Sequence, residues 1–419
     1  MKFTLNILFV LFISITILMP LGSLNIISVS ADNWWNNDWA YREQITISNA
    51  GSTTLINFPA YIQVPYKTGM QTDYDDLRFT TADGTLVLDY EIEYFDATKA
   101  LVWLRIPSFV VPNVSIWMYY GNDAATSGQN PTGVWDSNHI GVWHMSEISG
   151  TVYDSTINNI DGTPFNGVNQ NINGAIDGAD SFNRNNSQYI NLGRNNLHLS
   201  SLTVSAWVYM TAAGGTDKQI VSKGHRGSNT EWELKTIPQE NSGRDIITFR
   251  FWVNNSARGV VSTTALSAGQ WHYLVGTYNT SATNNNFKLY IDGVLNNSNT
   301  NLTPKTQTDA NISIAAVHSQ SMTPNHLQYW NGVLDEIRIS DVPRSADWIK
   351  QSYSMVNDQS GYVAFGGSIP KPNPPLPQIK RELPMDQISR ILGLGSSRST
   401  GEFIGPNCAE DPNAEGCKQ

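Results

Sequence analysis

Glu231 and Glu233, in the sequence E-W-E-L, are the acids whose spacing best suits hydrolytic chemistry. Glycoside hydrolysis requires two carboxyl groups about 5–10 Å apart, one protonated and the other ionised. Residues two apart on a β-strand point to the same face, so this pair satisfies the first requirement for such a site. Asp335 and Glu336 are adjacent, and we expect them to point to opposite faces of their strand. The sequence thus offers one candidate pair of catalytic acids.

Other catalytic patterns are absent from the sequence. The histidines do not show the H-E-x-x-H or H-x-H spacing of a zinc hydrolase, and there is no G-x-S-x-G motif or glycine-rich phosphate loop. His144 and His272 each stand beside a tryptophan on an expected strand, and we expect both to be hydrogen-bonded structural residues. These absences favour a binding protein over an enzyme.

A further set of side chains suits carbohydrate binding. Sugars present apolar C–H faces that stack on aromatic rings, and their hydroxyls need oriented hydrogen-bond partners. Candidates of this kind, in or near segments rich in Asn, Ser and Arg, are Trp232, Trp252, His225, Tyr329 and Trp330. Trp252 alternates with Phe251 and Val253, so we expect its ring to face away from the core. Each residue alone is more typical of packing, but as a group they support a carbohydrate-binding hypothesis.

Composition and charge indicate an exported β-protein. Of 419 residues 40% are hydrophobic and only 15% are charged, and the net charge is −10. No basic stripe is visible, which argues against nucleic acid or anionic lipid as a partner. Residues 1–31 have a basic Lys2, an apolar run and a V-S-A site, a pattern that predicts a signal peptide and an extracellular or cell-surface location. An uncleaved N-terminal anchor is the alternative.

The C-terminal residues 368–419 are expected to form a flexible tail. The segment opens with S-I-P-K-P-N-P-P-L-P, and proline disfavours sheet structure. It contains both cysteines, Cys408 and Cys417, which in an exported protein are expected to form a local disulfide. An intermolecular disulfide is the alternative.

Strand patterns dominate the region from Trp271 to Ile349. Phe287, Leu289 and Ile291 alternate with polar residues, and Asp292-Gly293 predicts a hairpin turn after them. A further strand follows the Asn331-Gly332 turn, with Val333, Ile337 and Ile339 as its apolar residues. This pattern is typical of a β-sandwich.

These blocks resemble the laminin-G-like (concanavalin A-like) jelly roll over residues 136–367. Upstream blocks in the same order are V-W-H-M-S-E, T-V-Y-D-S-T, I-D-G-T, G-A-D-S-F-N, Q-Y-I-N-L and L-T-V-S-A-W-V-Y. Domains of this family often carry a structural calcium ion, and the resemblance places its ligands at Glu147, Asp154 and Asp335. Hydrolases of this fold carry a further flanking acid in their strand motif, and E-W-E-L lacks it.

Residues 32–135 predict a separate β-sandwich of about six short strands. The segment resembles an uncharacterised domain of unknown function from secreted prokaryotic surface proteins, through W-W-N-N-D-W-A-Y-R, D-D-L-R-F-T, L-V-W-L-R-I-P and Y-Y-G-N. That family often precedes a laminin-G-like domain. The resemblance implies a domain order rather than an activity.

The sequence therefore predicts an all-β protein with two β-sandwich domains, the second a concanavalin A-like jelly roll. The expected function is non-enzymatic binding of carbohydrate or a glycosylated surface, with a role in adhesion and a structural Ca²⁺. A structural subunit of an extracellular sheath or filament, with self-association, is the first alternative. A glycoside hydrolase that uses Glu231 and Glu233 is the second alternative.

Overall fold

The computed structural model describes residues 34–373, except residues 195, 226–229, 240–243, 254–255, 303–306 and 319–325. The expected signal peptide at 1–31 and the expected disulfide between Cys408 and Cys417 lie outside the described residues. The chain up to Lys371 forms one compact unit, and a second unit begins at Pro372. No helix in the described part is long and apolar enough to cross a bilayer.

Antiparallel strands make up nearly all of the regular structure, as the sequence predicts. The N-terminal strands are β1 (Tyr41–Ser48), β2 (Leu55–Pro65), β3 (Arg78–Thr81), β4 (Tyr90–Phe95), β5 (Lys99–Phe109) and β6 (Asn113–Tyr120), followed by a short helix α1 (Pro131–Val134).

The central part of the chain adds seventeen strands. They are β7 (His139–Trp143), β8 (Thr163–Phe165), β9 (Asn169–Asn173), β10 (Gly178–Phe182), β11 (Tyr189–Gly193), β12 (Leu202–Met210), β13 (Lys218–Gly224), β14 (Thr230–Pro238), β15 (Asp245–Val253), β16 (Ser256–Leu266), β17 (Trp271–Tyr278), β18 (Phe287–Ile291), β19 (Val294–Asn299), β20 (Ile312–Ile314), β21 (Val317–His318), β22 (His326–Leu327) and β23 (Gly332–Ser340). The last elements are α2 (Ala346–Asn357), α3 (Gln359–Tyr362), β24 (Val363–Phe365) and β25 (Ile369–Pro370).

The N-terminal sandwich packs two sheets around one core. One sheet has the order β24-β1-β6-β3, with β25 also on β1, and the other is β2-β5-β4. Strand β5 lies at the centre of this core, because Ala100, Val102 and Leu104 on one face are fully buried and Leu101 and Trp103 on the other face are buried as well. The sandwich is completed by β24 and β25, which the chain supplies only after its central part.

Strand β25 lies where the sequence predicts the start of a flexible tail. Ile369 and Pro370 pair with Arg42 and Tyr41 of β1. Proline has no N–H to donate, so the hydrogen bond at this end of the pairing comes from the next residue. Lys371 donates its N–H to the Ala40 carbonyl at 2.8 Å. Order in the described chain therefore extends past residue 368.

The second sandwich has two larger sheets. Its eight-stranded sheet has the order β19-β18-β17-β12-β23-β10-β9, with β7 also on β23, and its seven-stranded sheet has the order β16-β15-β14-β13-β20-β11-β8. Side chains such as Leu234 and Phe249 from the second sheet meet Val204 and Leu274 from the first in one buried core. The predicted Asp292-Gly293 hairpin joins β18 to β19, and both residues have the positive φ, 50° and 77°, that a two-residue turn of this type requires.

A β-bulge in β23 changes which residues face the core. One residue of β12 lies opposite two of β23, and Glu336 at the bulge has a φ of 51°. Leu334, Ile337 and Ile339 belong to the core, so the prediction that Val333 shares a face with Ile337 and Ile339 is wrong. Asp335 and Glu336 therefore both lie outside the core, and the expectation that they occupy opposite faces is corrected.

Helix α2 packs between the two sandwiches. Ser345 caps its N-terminus by accepting the N–H of Trp348. Met355 is buried in the N-terminal core, and Ile349 is buried with Trp207 and Tyr273 from the outer side of the eight-stranded sheet. This helix and the N-terminal sandwich thus cover part of the outer face of the eight-stranded sheet.

Candidate functional site

The outer face of the seven-stranded sheet carries a group of polar side chains around one carboxylate. We call this group the polar face and define it as Gln219, Glu233, Lys235, Arg250 and Trp252. Glu233 accepts hydrogen bonds from Gln219 Nε2 at 2.6 Å, Arg250 Nε at 2.5 Å and Trp252 Nε1 at 3.3 Å. Lys235 Nζ lies 3.6 Å from the same carboxylate. The strands β13, β14 and β15 therefore hold these five side chains in one hydrogen-bonded network.

Alternation along β14 and β15 explains this arrangement. Trp232 and Leu234 point into the core, which leaves Glu233 on the outer side. Phe249 and Phe251 do the same on β15 and leave Arg250 outside, opposite Glu233 in the register. Cross-strand pairing of opposite charges then fixes both side chains.

The charges of the polar face keep Glu233 ionised. Burial alone raises the pKa of a carboxyl group, but Lys235 and Arg250 hold the pKa of Glu233 below its usual value. The Glu233 side chain is only 3% exposed, whereas that of Arg250 is 18% exposed and Trp252 is half-buried. Glu233 thus anchors groups that themselves reach the surface.

Aromatic side chains lie toward the opposite edge of the same sheet. Phe165 on β8 and Tyr189 on β11 stack in parallel with ring centroids 4.8 Å apart, and Tyr189 lies 6.3 Å from Tyr329. Gln328, next to Tyr329, accepts a hydrogen bond from Gln219 Nε2 at 2.9 Å. The aromatic cluster of Phe165, Tyr189 and Tyr329 is therefore connected to the polar face through an amide pair.

The structure separates the five predicted sugar-binding residues into two groups. Trp252 and Tyr329 are half-buried on the outer side, as a binding role requires. Trp232 and Trp330 have no exposed surface and belong to the core, so neither can present a ring to a ligand. His225 is buried, with its Nδ1 2.8 Å from Nδ1 of His318. The prediction is corrected for the two buried tryptophans because they occupy inward positions on their segments.

Two aromatic residues of this face were not predicted from the sequence. Tyr189 had a usable signal, because Ile190 and Leu192 alternate with it in Q-Y-I-N-L and mark the inward side. Phe165 had none, since its strand is only three residues long. Arg250 was likewise visible from its alternation with Phe249 and Phe251.

Glu231 and Glu233 lie on the same strand but in different networks. Glu231 Oε2 is 2.9 Å from His198 Nδ1 and accepts the Thr308 backbone N–H at 3.3 Å. Lys223 Nζ is 3.9 Å away. Both carboxylates are therefore engaged by basic or donor groups.

The predicted metal ligand Asp154 has a different role. Its carboxylate accepts the backbone N–H groups of Val142, Thr156 and Ile160 at 2.8–3.0 Å and the Thr156 hydroxyl at 2.9 Å. Four donors leave this carboxylate little capacity for a cation, and it organises the turn after β7. Asp154 is therefore corrected from metal ligand to turn residue.

A different acid, Asp180, joins Glu147 and Asp335. Burial, with smaller contributions from the charges of Glu147 and Asp335, raises the pKa of Asp180 to about 8. The backbone of Asn171 lies close enough to lower this pKa in part, but it does not meet the geometry of a hydrogen bond to Asp180. Within the described part of the chain, both oxygens of Asp180, Oε2 of Glu147 and Oδ1 of Asp335 are buried without a hydrogen-bond partner.

These carboxylates are of the ligand type that calcium prefers, but in the described chain their ligand atoms are not all within 4.8 Å of one another. Ca²⁺ binds carboxylate and carbonyl oxygens, and unpaired buried carboxylates are costly unless a cation compensates them. The loop before β10 also wraps Asp335 closely, because Ala175 and Ile176 donate their N–H groups to its Oδ2. A Cβ on Gly174 would approach that oxygen to 2.6 Å, so only glycine fits there. Asp180 lies in the block G-A-D-S-F-N, and the signal for a buried acid was Ala179 directly before it and Phe182 two residues after it.

Comparisons with known families agree with this architecture. Residues 183–350 match the concanavalin A-like lectin/glucanases superfamily, and residues 73–159 match a domain of unknown function, DUF2341. The chain therefore carries a concanavalin A-like domain preceded by a DUF2341 domain, as the sequence blocks predict. The second match continues past residue 135, where the sequence predicts the first domain to end. A search of curated proteins gave no match.

The solved structures that match parts of this chain have low sequence identity to it. Domain 4 of AbnA, an extracellular GH43 arabinanase from Geobacillus stearothermophilus in complex with arabinotriose, is 18% identical, with a TM-score of 0.39, and the match covers 51% of this chain and 97% of that chain. The binding domain of Paraclostridial Mosquitocidal Protein 1 is 13% identical, with a TM-score of 0.40 and 53% coverage of both chains. A heptameric SAP-like pentraxin from Limulus polyphemus is 13% identical, with a TM-score of 0.30, over 41% of this chain and 82% of that chain.

Proposed function

We propose that this chain is a non-enzymatic binding protein that recognises carbohydrate on the outer face of its seven-stranded sheet. The observation that carries the proposal is the polar face, where Trp252 and Arg250 converge on the buried carboxylate of Glu233. A half-exposed ring beside fixed hydrogen-bonding groups is the combination that sugars require.

The chemistry of recognition follows from the network. The indole N–H of Trp252 donates to Glu233, which fixes the plane of the ring. Arg250 lies over one face of the ring at 5.5 Å from its centroid, so the other face would stack on the C–H side of a sugar. Gln219 is fully buried, so its role is to hold the Glu233 carboxylate in place beneath the groups that reach the surface. Arg250 supplies further donors at the surface, because its guanidinium has more N–H groups than Glu233 uses.

The aromatic cluster of Phe165, Tyr189 and Tyr329 would provide a second contact region. Phe165 is 37% exposed, and the amide pair of Gln219 and Gln328 lies between the cluster and the polar face. A ligand that reaches both regions must be extended, which favours an oligosaccharide or polysaccharide over a single sugar.

A binding role agrees better than hydrolysis with the electrostatics of this face. A glycoside hydrolase needs a general acid with a raised pKa, whereas the pKa of Glu233 is held low by Lys235 and Arg250. Three side chains donate hydrogen bonds to Glu233, so its carboxylate is not free to accept and release a proton as a catalytic acid must. Its position supports a task in orienting Arg250 and Trp252.

We further propose a structural calcium ion held by Glu147, Asp180 and Asp335. Such an ion would draw these three buried carboxylates together, would supply the positive charge that they lack, and would tie the segment after β7 to β10 and β23. With the expected signal peptide, the protein would act outside the cell, on a polysaccharide or a glycosylated surface.

The test is a screen of the purified chain against immobilised glycans and polysaccharides, with calcium and with a chelator. We expect specific binding in calcium and weaker binding after chelation, because loss of the ion loosens the second sandwich. A folded protein that binds no glycan in either condition would contradict the proposal. Calcium-dependent assembly in that sample would support the alternative of an extracellular structural subunit.

A further inference from the structure

A second cluster of charged side chains is buried where the N-terminal sandwich meets the eight-stranded sheet. It consists of Glu91 and Glu93 on β4, His144 just after β7, and Glu336 at the bulge of β23. His144 Nδ1 is 2.5 Å from Glu336 Oε1 and 3.4 Å from Glu93 Oε2, while His144 Nε2 is 3.4 Å from Glu91 Oε2. Each of these side chains is at least nine-tenths buried. One imidazole is thus surrounded by three carboxylates in a site closed to solvent.

The neighbouring Arg338 and the indole N–H of Trp103 do not satisfy all the polar atoms of this cluster. Arg338 pairs with Glu336 Oε2 and stacks over Trp103 at 4.2 Å from the ring centroid. Trp103 Nε1 donates to Glu93 Oε2 at 2.6 Å. Within the described residues, however, Glu93 Oε1 is buried without a hydrogen-bond partner, and His144 Nε2 has only its 3.4 Å ion-pair contact with Glu91. A buried carboxylate oxygen without a partner in an enclosed cluster indicates a missing partner, because it costs free energy when left unsatisfied.

We propose that this junction binds one first-row divalent transition metal through His144, Glu93 and Glu336. The potential ligand atoms of these three residues lie within 4.8 Å of one another. The separation of 3.4 Å between His144 Nδ1 and Glu93 Oε2 is close to the ~3.3 Å between ligands of a tetrahedral zinc ion with bonds of about 2.0–2.1 Å. Glu336 needs to move outward by less than about 1 Å from His144 when a metal replaces the proton between them.

The ligand types distinguish this site from the proposed calcium site. Imidazole nitrogen suits zinc, iron and related metals, whereas calcium prefers oxygen alone. The neighbouring carboxylate Glu91 accepts the Ser155 hydroxyl at 2.6 Å and the Trp135 indole N–H at 3.0 Å, so it is positioned as an outer partner of His144. Because Glu93 and Glu336 come from different sandwiches, the metal would join the two halves of the described chain.

The experiment is a zinc titration of the full chain, without an affinity tag that contains histidine, in excess calcium and with a chromophoric competitor chelator. We expect one equivalent of zinc to bind. His144→Gln and Glu93→Gln should each weaken zinc affinity at least tenfold. The matched control is His272→Gln, since His272 is largely buried beside Asp292 at 2.8 Å on another strand of the same sheet, and it should retain full zinc binding. Asp180→Asn should also retain it, which separates this inference from the calcium proposal.

A folded wild-type chain that binds no zinc, or a His144→Gln variant that binds it as tightly as wild type, would overturn the inference. If the variants do not fold, anomalous diffraction at the zinc edge from wild-type crystals decides the matter. A peak among Glu93, His144 and Glu336 supports the site. A peak elsewhere, for example at His225 and His318, or no peak, contradicts it.

Discussion

Acidic side chains have different roles in this molecule because they accept different numbers of hydrogen bonds. Asp154 accepts four hydrogen bonds and shapes a turn, whereas Asp180 has none in the described chain and lies near two other acids. Glu233 accepts three side-chain donors and remains ionised. Function at the residue scale therefore depends on the count of donors around each acid.

Calcium should stabilise the wild-type protein but not Asp180→Asn. Calcium at 100 times its Kd stabilises a folded state by about 2.7 kcal/mol, which corresponds to a rise in Tm of roughly 4 °C for a cooperative unit the size of residues 34–373. Differential scanning calorimetry with calcium and with a chelator measures this shift. Asp154→Ala is the control, because loss of its turn hydrogen bonds should lower Tm equally in both conditions. An unchanged calcium response in Asp180→Asn would remove that residue from the site.

The proposed calcium site keeps two of the three predicted ligands, Glu147 and Asp335. The proposed sugar site keeps two of the five predicted residues, Trp252 and Tyr329. The sequence blocks identify acids that lie close together, but they do not reveal how many backbone N–H groups each acid accepts, and this property separates Asp154 from Asp180. Trp232 and Trp330 illustrate a similar limit, since an aromatic residue near polar neighbours can belong to either face of its strand. Period-two alternation resolves that ambiguity for Trp252, which Phe251 and Val253 flank.

At the scale of elements, short polar networks join segments that are far apart in sequence. Asp136, between α1 and β7, receives both Nη1 and Nη2 of Arg344, just before α2, at 2.8 and 2.6 Å. His139, at the start of β7, lies 2.7 Å from Asp136. This network fixes where β7 and α2 begin.

The network predicts a loss of stability in mild acid. Burial lowers the pKa of His139 to about 4, so the folded protein keeps this histidine neutral while the unfolded chain takes up a proton below about pH 6.5. The unfolded state therefore binds more protons between about pH 6.5 and 4, and stability falls through that window by about 3 kcal/mol as pH decreases. Urea unfolding at a series of pH values measures this slope.

His139→Gln should flatten the slope between about pH 6.5 and 4, because glutamine does not titrate. Below about pH 4 a further loss should remain in both proteins. Although burial raises its pKa, Arg344 and His139 hold the pKa of Asp136 far below its usual value, so protonation of this acid removes the ion pair there. A variant with the same slope as wild type would show that His139 titrates normally in the folded protein.

Strands were predictable from the sequence where alternation is regular, as in β5 and β6. The bulge at Glu336 was not predictable, because alternation continues on either side of the extra residue and only cross-strand pairing reveals the shift. Yet this bulge brings Asp335 and Glu336 outside the core together, and both candidate metal sites depend on it. Strands β24 and β25 were missed because they are short and pair with β1, more than 300 residues earlier.

At the scale of the whole molecule, the N-terminal sandwich is incomplete without later parts of the chain. β24 and β25 pair with β1, and α2 places Met355 in the N-terminal core. Glu91 and Glu93, the buried acids of β4, form ion pairs with His144, which belongs to the second sandwich. The two sandwiches of the described chain are therefore expected to unfold together.

A fragment of residues 34–135 should fail to fold cooperatively, whereas residues 34–373 should give one unfolding transition. The fragment exposes apolar surface that α2 and β24 cover, and leaves Glu91 and Glu93 without His144. Circular dichroism during urea unfolding tests both proteins. A sigmoidal transition for residues 34–135 alone would show that the N-terminal sandwich is independent.

The measurement that tests the central claim most directly compares glycan affinity in Trp252→Ala and Trp271→Ala. Both tryptophans are half-buried, but Trp271 begins β17 on the other sheet, beside Tyr209. If carbohydrate binds at the polar face, Trp252→Ala should lose about 30-fold in affinity, equivalent to about 2 kcal/mol, because its ring is the main contact. Trp271→Ala should bind as wild type does. Equal affinity of Trp252→Ala and wild type for a ligand of this protein would contradict the account.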